Sequence, residues 1–177
     1  MVHDKSVSVI IPCLILPHKE NILLDITRLC LYTLRSHTER DIELILIDNA
    51  SPVCGDRLAE WADIYIKNTK NLGFAPAVNQ GLKIARGEWL VVSNNDITFI
   101  HDWIGNALDV WTPDTGIISS HLHGNDKEHK RNRIEVPWGH MMGALWMTHR
   151  SVVEKVGLLD ERFERGMFRG RRLFCQN

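Results

Sequence analysis

Several features that would assign a protein to a class are missing from this sequence of 177 residues. The four cysteines form no Cys-x-x-Cys pair, which argues against a zinc or redox site and for a reducing, cytoplasmic environment. A net charge of −1 argues against a nucleic-acid partner. The longest apolar run, residues 7–16, is interrupted by Pro12 and is too short to span a bilayer, and no secretion signal precedes it. We expect a single cytoplasmic domain over residues 1–177, with peripheral attachment to a membrane as the alternative.

Strand-like and helix-like patterns alternate along the chain. The predicted strands cover residues 7–11, 42–47, 63–67, 88–92 and 116–119, and the predicted helices cover residues 22–34, 57–61, 75–85, 100–111 and 150–156, with Asn21 as the cap of the first helix. The first, second and fourth strands are nearly continuous apolar runs, which is typical of a parallel sheet covered on both faces. The sequence therefore predicts an α/β fold with a mostly parallel sheet flanked by helices.

Distinctive residues stand where three of these strands end. They are Pro12-Cys13, Asp48-Asn49 and the run Asn94-Asn95-Asp96. Because ligands of parallel sheets bind outside the carboxyl ends of the strands, we expect these residues to share one crevice. A carboxylate beside two amides suits Mg²⁺ or Mn²⁺, which keeps several waters and is completed by substrate phosphates. Asp96 is the predicted ligand, and an ordinary strand-to-loop turn is the alternative.

Two further segments carry weaker signals. Asp48 can accept hydrogen bonds from a ribose or a base edge, or it can form a helix cap or an Asx turn. Residues 71–81 begin with Asn71, which precedes Gly73, and a glycine permits a close approach of the backbone. Asn79 is spaced to reach the crevice from a helix. The alternative for this segment is a capped loop that leads into a helix, since glycines in one loop are a weak phosphate signal.

Nine histidines raise the question of a zinc site. However, His121-x-His123 with His129 or His140 fits no common ligand spacing. The sequence has neither a P-loop nor a Gly-x-Ser-x-Gly elbow. Trp138 is the tryptophan that we expect beside a sugar, since aromatic rings pack well on the apolar faces of sugars.

The order of the pieces is more specific than any one of them. The segments VSVIIP, LILIDNAS, NLGFAPAVNQGLKIARGEWLVVSNNDI and GALWMTHRSVVEKVGLLDERF follow one another along the chain. In this order they resemble the family 2 glycosyltransferases of the GT-A fold, a Rossmann-like nucleotide-sugar-binding domain, and most of all the rhamnosyltransferase-like branch. The resemblance runs from Val7 to about Phe168. It implies transfer of a sugar from a nucleoside-diphosphate donor to a hydroxyl acceptor with inversion, assisted by Mg²⁺ or Mn²⁺.

The resemblance also implies roles for individual residues. The residues implied on the donor side are Pro12, Asp48, Asn71, Gly73, Asn79, Asn94 and Asn95. Asp96 is implied as the metal ligand and Asp160 as a catalytic residue. Trp138, His140 and Gly143 are expected on the acceptor side. The implied donors are UDP-, dTDP- or GDP-sugars, and the implied acceptors are saccharides, lipid-linked groups or proteins, as in polysaccharide biosynthesis.

Near its end the chain departs from the family pattern. That pattern continues with Gly-x-Phe-Glu-Asp-x-Asp, whose Glu-Asp supplies the expected base, whereas Arg169 and Gly170 follow residues 166–168 here. Arginine does not give up its proton in proteins and glycine has no side chain, so neither serves as a base. Residues 165–177 are therefore interpreted as an aberrant basic tail, and we expect impaired catalysis.

One choice of codons for residues 169–176 reads Glu-Asp-Asp-Asp-Phe-Ser-Val once a single base is removed after Phe168. This indicates a frameshifted or truncated domain, and the alternative is a divergent relative whose basic tail binds something else. Two other functions remain open, a non-catalytic nucleotide-sugar-binding remnant and a nucleotidyltransferase. The latter needs a glycine-rich basic loop after the first strand, and residues 14–19 are not one. Residues 136–147 have an apolar face that a homodimer contact would cover.

Overall fold

Six strands form one mixed sheet in this computed structural model, which describes residues 7–53, 55–119 and 143–162. The strands are β1 (Val7–Cys13), β2 (Ile42–Asp48), β3 (Ile64–Lys67), β4 (Trp89–Ser93), β5 (Ile118–Ser119) and β6 (Leu145–His149), in the spatial order β3-β2-β1-β4-β6-β5. The first four strands are parallel, whereas β6 runs antiparallel to both β4 and β5. The prediction of a mostly parallel sheet is confirmed.

Helices cover both faces of the sheet. They are α1 (Glu20–Ser36), α2 (Phe74–Ile84), α3 (Trp103–Leu108) and α4 (Arg150–Val156), with 3₁₀ turns at Pro17–Lys19 and Gly55–Trp61. Side chains alternate between the faces of a strand, so Val9 and Ile11 pack in the cluster under α1, and Ile10 packs in the cluster under α2. Helix α2 packs very close to β1 at Gly81: a Cβ on this glycine would be only 2.5 Å from Ile10 Cγ2.

The first strand is longer than its sequence pattern predicts. It continues through Pro12, which pairs with Ile47 of β2, to Cys13. Proline has no N–H to donate and is therefore confined to strand positions where no partner needs one. The pairing of β1 with β4 already ends at Ile10, so no backbone hydrogen bond from Pro12 to β4 is needed.

Two predicted helix boundaries are wrong. Helix α1 begins at Glu20 after the 3₁₀ turn that starts at Pro17, so Asn21 lies inside the helix and does not cap it. The helix predicted over residues 100–111 is reduced to α3, because Asp102 has a φ of 54°, a left-handed conformation that cannot lie within a right-handed helix. In the described part of the chain, no helix is long and apolar enough to cross a membrane.

Candidate functional site

The carboxyl ends of the parallel strands meet at one edge of the sheet. Cys13 at the end of β1 is the register partner of Asp48 at the end of β2, and Ile10 pairs with Val92 near the end of β4. Just past the strands, the Asn49 N–H donates to the Cys13 carbonyl at 2.8 Å. The predicted clustering of Pro12, Asp48 and residues 94–96 at this edge follows directly from that parallel register.

Asp48 is fully buried at the end of β2. Its Oδ1 accepts the Ser51 N–H at 2.7 Å, and its Oδ2 accepts the Tyr65 hydroxyl at 2.9 Å. Gly55 lies so close that a Cβ there would be 2.0 Å from Asp48 Oδ2. Burial, together with the hydrogen bond to Asp48, raises the pKa of the Tyr65 hydroxyl, which therefore stays protonated and donates. The bond to the N–H three residues on is a local contact of the capping type, one of the two alternatives for Asp48, and differs from the bond two residues on that defines an Asx turn.

Asn71 and Gly73 form the loop that opens α2. Gly73 has a φ of 88°, a left-handed conformation that favours glycine, and it occupies the cap position before Phe74. The Asn71 side-chain oxygen accepts the Gly73 N–H and the amide of Asn49, both at 2.9 Å. Loop geometry and side-chain contacts therefore place the two predicted donor-side residues next to the end of β2.

Asn79 lies in α2 and is almost completely buried. Its amide donates to the Leu159 carbonyl at 2.9 Å and to Glu161 Oε1 at 2.8 Å, and its oxygen accepts the Leu159 N–H at 2.9 Å. Every one of these partners is protein. Asn79 therefore holds the segment that contains Asp160. The predicted contact between Asn79 and a donor remains a prediction.

The run Asn94-Asn95-Asp96 follows β4 directly. The carbonyl of Asn94 accepts the Cys30 thiol at 3.6 Å, and the amide of Asn95 donates to Thr27 at 2.7 Å, so α1 holds the first two residues. Asp96 is exposed, and its side chain has no hydrogen-bond or ion-pair partner among the described residues. The carboxylate is consequently available to a ligand from solvent.

Gly143 lies at the same end of the sheet as Asp96. It precedes β6, and the carbonyl of its neighbour Ala144 accepts the Asn94 N–H at 2.7 Å. The predicted acceptor-side glycine therefore adjoins the residue that is hydrogen-bonded to Asn94, two residues before the predicted metal ligand. The other two acceptor-side residues, Trp138 and His140, lie outside the described residues.

Asp160 follows Leu159 and is buried. The Arg162 guanidinium grips both of its oxygens, with Nε 2.8 Å from Oδ1 and 3.1 Å from Oδ2. Hydrogen bonds from Arg162 lower the pKa of Asp160 to about 2, so this carboxylate is a weak proton acceptor at neutral pH. Arg169 and Gly170, at the position of the expected base, lie outside the described residues.

Other groups contribute little chemistry to this edge. Burial raises the pKa of the Cys13 and Cys30 thiols to about 12, so neither is a nucleophile at neutral pH. Among the described residues, no three His, Cys, Asp or Glu side chains are grouped to hold a metal ion by themselves. Two open cavities, of about 410 and 230 Å³, lie at the opposite end of the sheet, where Thr38 and Arg40 line both.

Three residues for which the sequence predicts no role of their own organise this edge. Asn49 binds the Asn71 loop, Tyr65 caps the carboxylate of Asp48, and Thr27 holds Asn95. Asn49 had a signal, since it directly follows Asp48 in the polar run after β2. Tyr65 and Thr27 belong to a strand and a helix whose patterns predict only packing.

Many solved structures share this fold, including the following two. The mannosyltransferase PcManGT from Pyrobaculum calidifontis, in complex with GDP-Man and Mn²⁺, matches with a TM-score of 0.65 and 20% identity, over 88% of this chain and 47% of its own. TarS 1–349 from S. aureus, in complex with UDP, matches with a TM-score of 0.64 and 13% identity, over 91% of this chain and 52% of its own. The chain thus spans about half the length of each. At identities this low, the similarity to these two structures shows the fold and no more.

The order of the strands and the helices on both faces of the sheet are those of the GT-A fold. The sequence pattern of glycosyl transferase family 2 matches residues 8–170. The chain therefore belongs to glycosyl transferase family 2, as the order of its motifs predicted. No curated protein matches the sequence at a significant level.

Proposed function

We propose that the carboxyl edge of the sheet binds a nucleoside-diphosphate sugar, and that the reaction of this site is transfer of the sugar to a hydroxyl acceptor with inversion. The observation that carries the proposal is the placement of Asp96. This exposed carboxylate follows the central strand β4, and the hydrogen bond from Asn94 to Ala144 sets it beside the start of β6. Membership of the family and the GDP-Man and UDP complexes of two structures with the same fold support a nucleotide-sugar donor.

A divalent cation fits the residues present. One carboxylate suffices for Mg²⁺ or Mn²⁺ when substrate phosphates and water supply the other ligands, and Asp96 is such a carboxylate. The half-buried amides of Asn94 and Asn95 stand beside it, and the PcManGT complex contains Mn²⁺. When bound, the cation would neutralise the charge that develops on the leaving diphosphate.

The donor side combines a buried carboxyl group with a loop at the surface. Asp48 is enclosed by Ser51, Tyr65 and Gly55, and it therefore shapes the edge from within. The loop from Asn71 to Gly73 is the exposed or half-exposed part of this side. Since it lies against Asn49 at the end of β2, we assign it the contact with the nucleotide.

Proton removal is the weak step in this chain. An acceptor hydroxyl must lose its proton as it attacks, which requires a carboxylate whose pKa is near the working pH. Asp160 is held by Arg162, and hydrogen bonds from that arginine keep the pKa of Asp160 at about 2. The family's Glu-Asp position carries Arg169 and Gly170. We therefore propose that donor binding is retained while transfer is impaired, and the pairing of Asp160 specifically favours the second candidate, a non-catalytic nucleotide-sugar binder.

Isothermal titration calorimetry with UDP, dTDP and GDP, each with and without Mn²⁺, tests the donor site. We expect binding of at least one nucleotide, strengthened by Mn²⁺. Absence of binding to all three would overturn the proposal. Incubation of the chain with UDP-, dTDP- and GDP-sugars then tests the chemistry, and rapid release of nucleoside diphosphate in the presence of a saccharide acceptor would contradict impaired transfer.

A further inference from the structure

The side chain of Asn49 uses its whole hydrogen-bonding capacity on one loop. Its Nδ2 donates to Asn71 Oδ1 at 2.9 Å and to the Gly73 carbonyl at 3.1 Å. Its Oδ1 accepts the Asn68 side-chain amide and the Leu72 N–H, both at 3.1 Å. Asn49 is only 6% exposed, so these contacts are shielded from water. One planar amide therefore fixes four points of the loop formed by residues 68–73, the donor-side loop.

The contacts of Asn49 belong to a network of neutral amides. Asn68 and Gln80 exchange two hydrogen bonds, of 2.9 and 2.8 Å, which tie the start of the loop to α2. The Asn68 N–H also donates to the Asp48 carbonyl at 2.8 Å, and the Asn49 N–H donates to the Cys13 carbonyl at 2.8 Å. The donor-side loop is thus joined to the ends of both β1 and β2.

We infer that Asn49 is a positioning residue that orders the donor-side loop for a nucleoside diphosphate, an inference that rests on the proposed function. Asn49 contacts the loop at the Leu72 N–H and at the Gly73 carbonyl, so it holds the backbone of both residues. Without them, the loop must be ordered when the nucleotide binds, and that entropy cost is subtracted from the affinity.

Asparagine is specifically required at this position. The two bonds from Nδ2 end on oxygens, the Asn71 side-chain oxygen and the Gly73 carbonyl. An ionised carboxylate of the same shape has no hydrogen to donate and would set its lone pairs against both. Asn49→Asp therefore removes the two donated bonds with almost no change in volume.

Asn106→Asp is the matched control. The Asn106 amide donates to the Asp102 carbonyl at 2.8 Å on an exposed part of α3, and it has no part in the network. Hydrogen exchange of the Leu72 and Gly73 N–H groups reports on the loop, and the β4 amides report on the sheet. Calorimetry with the nucleotide that binds most tightly, in Mn²⁺, reports on the site.

For Asn49→Asp we expect the Gly73 N–H to exchange at least about tenfold faster, because its acceptor Asn71 loses the bond from Nδ2. The Leu72 N–H keeps an acceptor oxygen, and the β4 amides are unchanged. The nucleotide Kd should rise about tenfold or more. The affinity gap to wild type should narrow as the pH falls, because a protonated carboxyl regains one donor. Asn106→Asp should match wild type in every measurement.

Two results would overturn the inference. One is an equal acceleration of loop and β4 amides, which would indicate general loosening of the domain. The other is faster exchange in the loop with an unchanged nucleotide Kd. A wild-type protein that binds no nucleotide would instead overturn the proposed function, and the exchange measurement alone then decides whether Asn49 orders the loop.

Discussion

Asn79 and Leu159, which are 80 residues apart in the sequence, are joined by two hydrogen bonds of 2.9 Å between the Asn79 side chain and the Leu159 backbone. Both partners are buried. The N–H and the carbonyl of Leu159 are therefore both fixed by one side chain, and moving the backbone at Leu159 would break both bonds. Since Asp160 is the next residue, helix α2 determines where that carboxylate lies, although nothing in the local sequence connects the two.

Substitution of Asn79 by Ala should destabilise the domain by about 1–3 kcal/mol, because the backbone N–H and carbonyl of Leu159 would be left buried without partners. Urea unfolding followed by circular dichroism measures the change. Glu161→Ala is the matched control, because it removes only the single bond from Asn79 to an exposed side chain. Equal losses in the two variants would show that the Leu159 contacts contribute nothing.

Gly55→Ala should disturb the buried Asp48, because the new Cβ would lie 2.0 Å from Oδ2. We expect a loss of about 1–3 kcal/mol in the free energy of unfolding, the usual cost of overpacking. Gly116→Ala is the control, since a Cβ there meets nothing within 4 Å. If both variants unfold at the wild-type urea concentration, the site around Asp48 is looser than described.

Asp96→Ala should abolish the effect of Mn²⁺ on nucleotide affinity, a change of at least about tenfold, or 1.4 kcal/mol. Thermal stability should stay within about 0.5 kcal/mol of wild type, because Asp96 is exposed. Asp114→Ala serves as the control, because Asp114 is also an exposed aspartate but lies far from Asp96 along β4. The nearby Gly116 accepts a hydrogen bond from Thr148, which pairs with Leu90 near the start of β4. Retention of the Mn²⁺ effect in Asp96→Ala would exclude this residue as the ligand.

Glu43→Gln should destabilise the domain at neutral pH by about 1.5–3 kcal/mol, the range for hydrogen bonds to a charged group. Burial on its own would raise the pKa of Glu43, but hydrogen bonds from Ser8 and Arg86 outweigh it and lower the pKa below the ordinary 4.5. A lowered pKa means that the carboxylate stabilises the fold above pH 4.5, and that this contribution is lost as the pH falls through the lowered value.

Urea unfolding of wild type and Glu43→Gln at several pH values between 3 and 7 measures this dependence. The difference between the two proteins should be constant near neutral pH and shrink at the acidic end. A difference that grows on acidification would contradict the sign of the argument.

Much of the fold could be predicted from the sequence, because it depends on local patterns. The apolar run at Ile42–Asp48 and the helical periodicity at Phe74–Ile84 each predict their element to within one residue at each end. The shortened α3 could not be predicted, since the left-handed conformation of Asp102 has no clear signal in an otherwise helical stretch. Boundaries depend on such single backbone conformations, whereas element types depend on many residues.

The candidate site, too, could be predicted only in part from the sequence. The parallel register predicts that Asp48 and Asp96 follow strands at one edge, and the structure places them there. The sequence does not reveal which side chain faces solvent. Asp96 is exposed, while Asp48 and Asn79 are buried with protein partners, because those contacts come from residues distant in the chain.

The hydrogen bond between Asn94 and Ala144 has a consequence for how relatives of this domain can diversify. It brings the two ends of a long excursion of the chain together on the framework of β4 and β6. When both ends are anchored, doubling the length of the intervening chain costs only about 0.6 kcal/mol of closure entropy. Closure entropy alone therefore penalises changes of length between these anchors only slightly, provided that the buried Phe99 and Trp103 and the pairing of β5 with β6 are kept. The parallel pairings among β1, β2, β3 and β4 lie outside that segment, so a change of length there leaves their register intact.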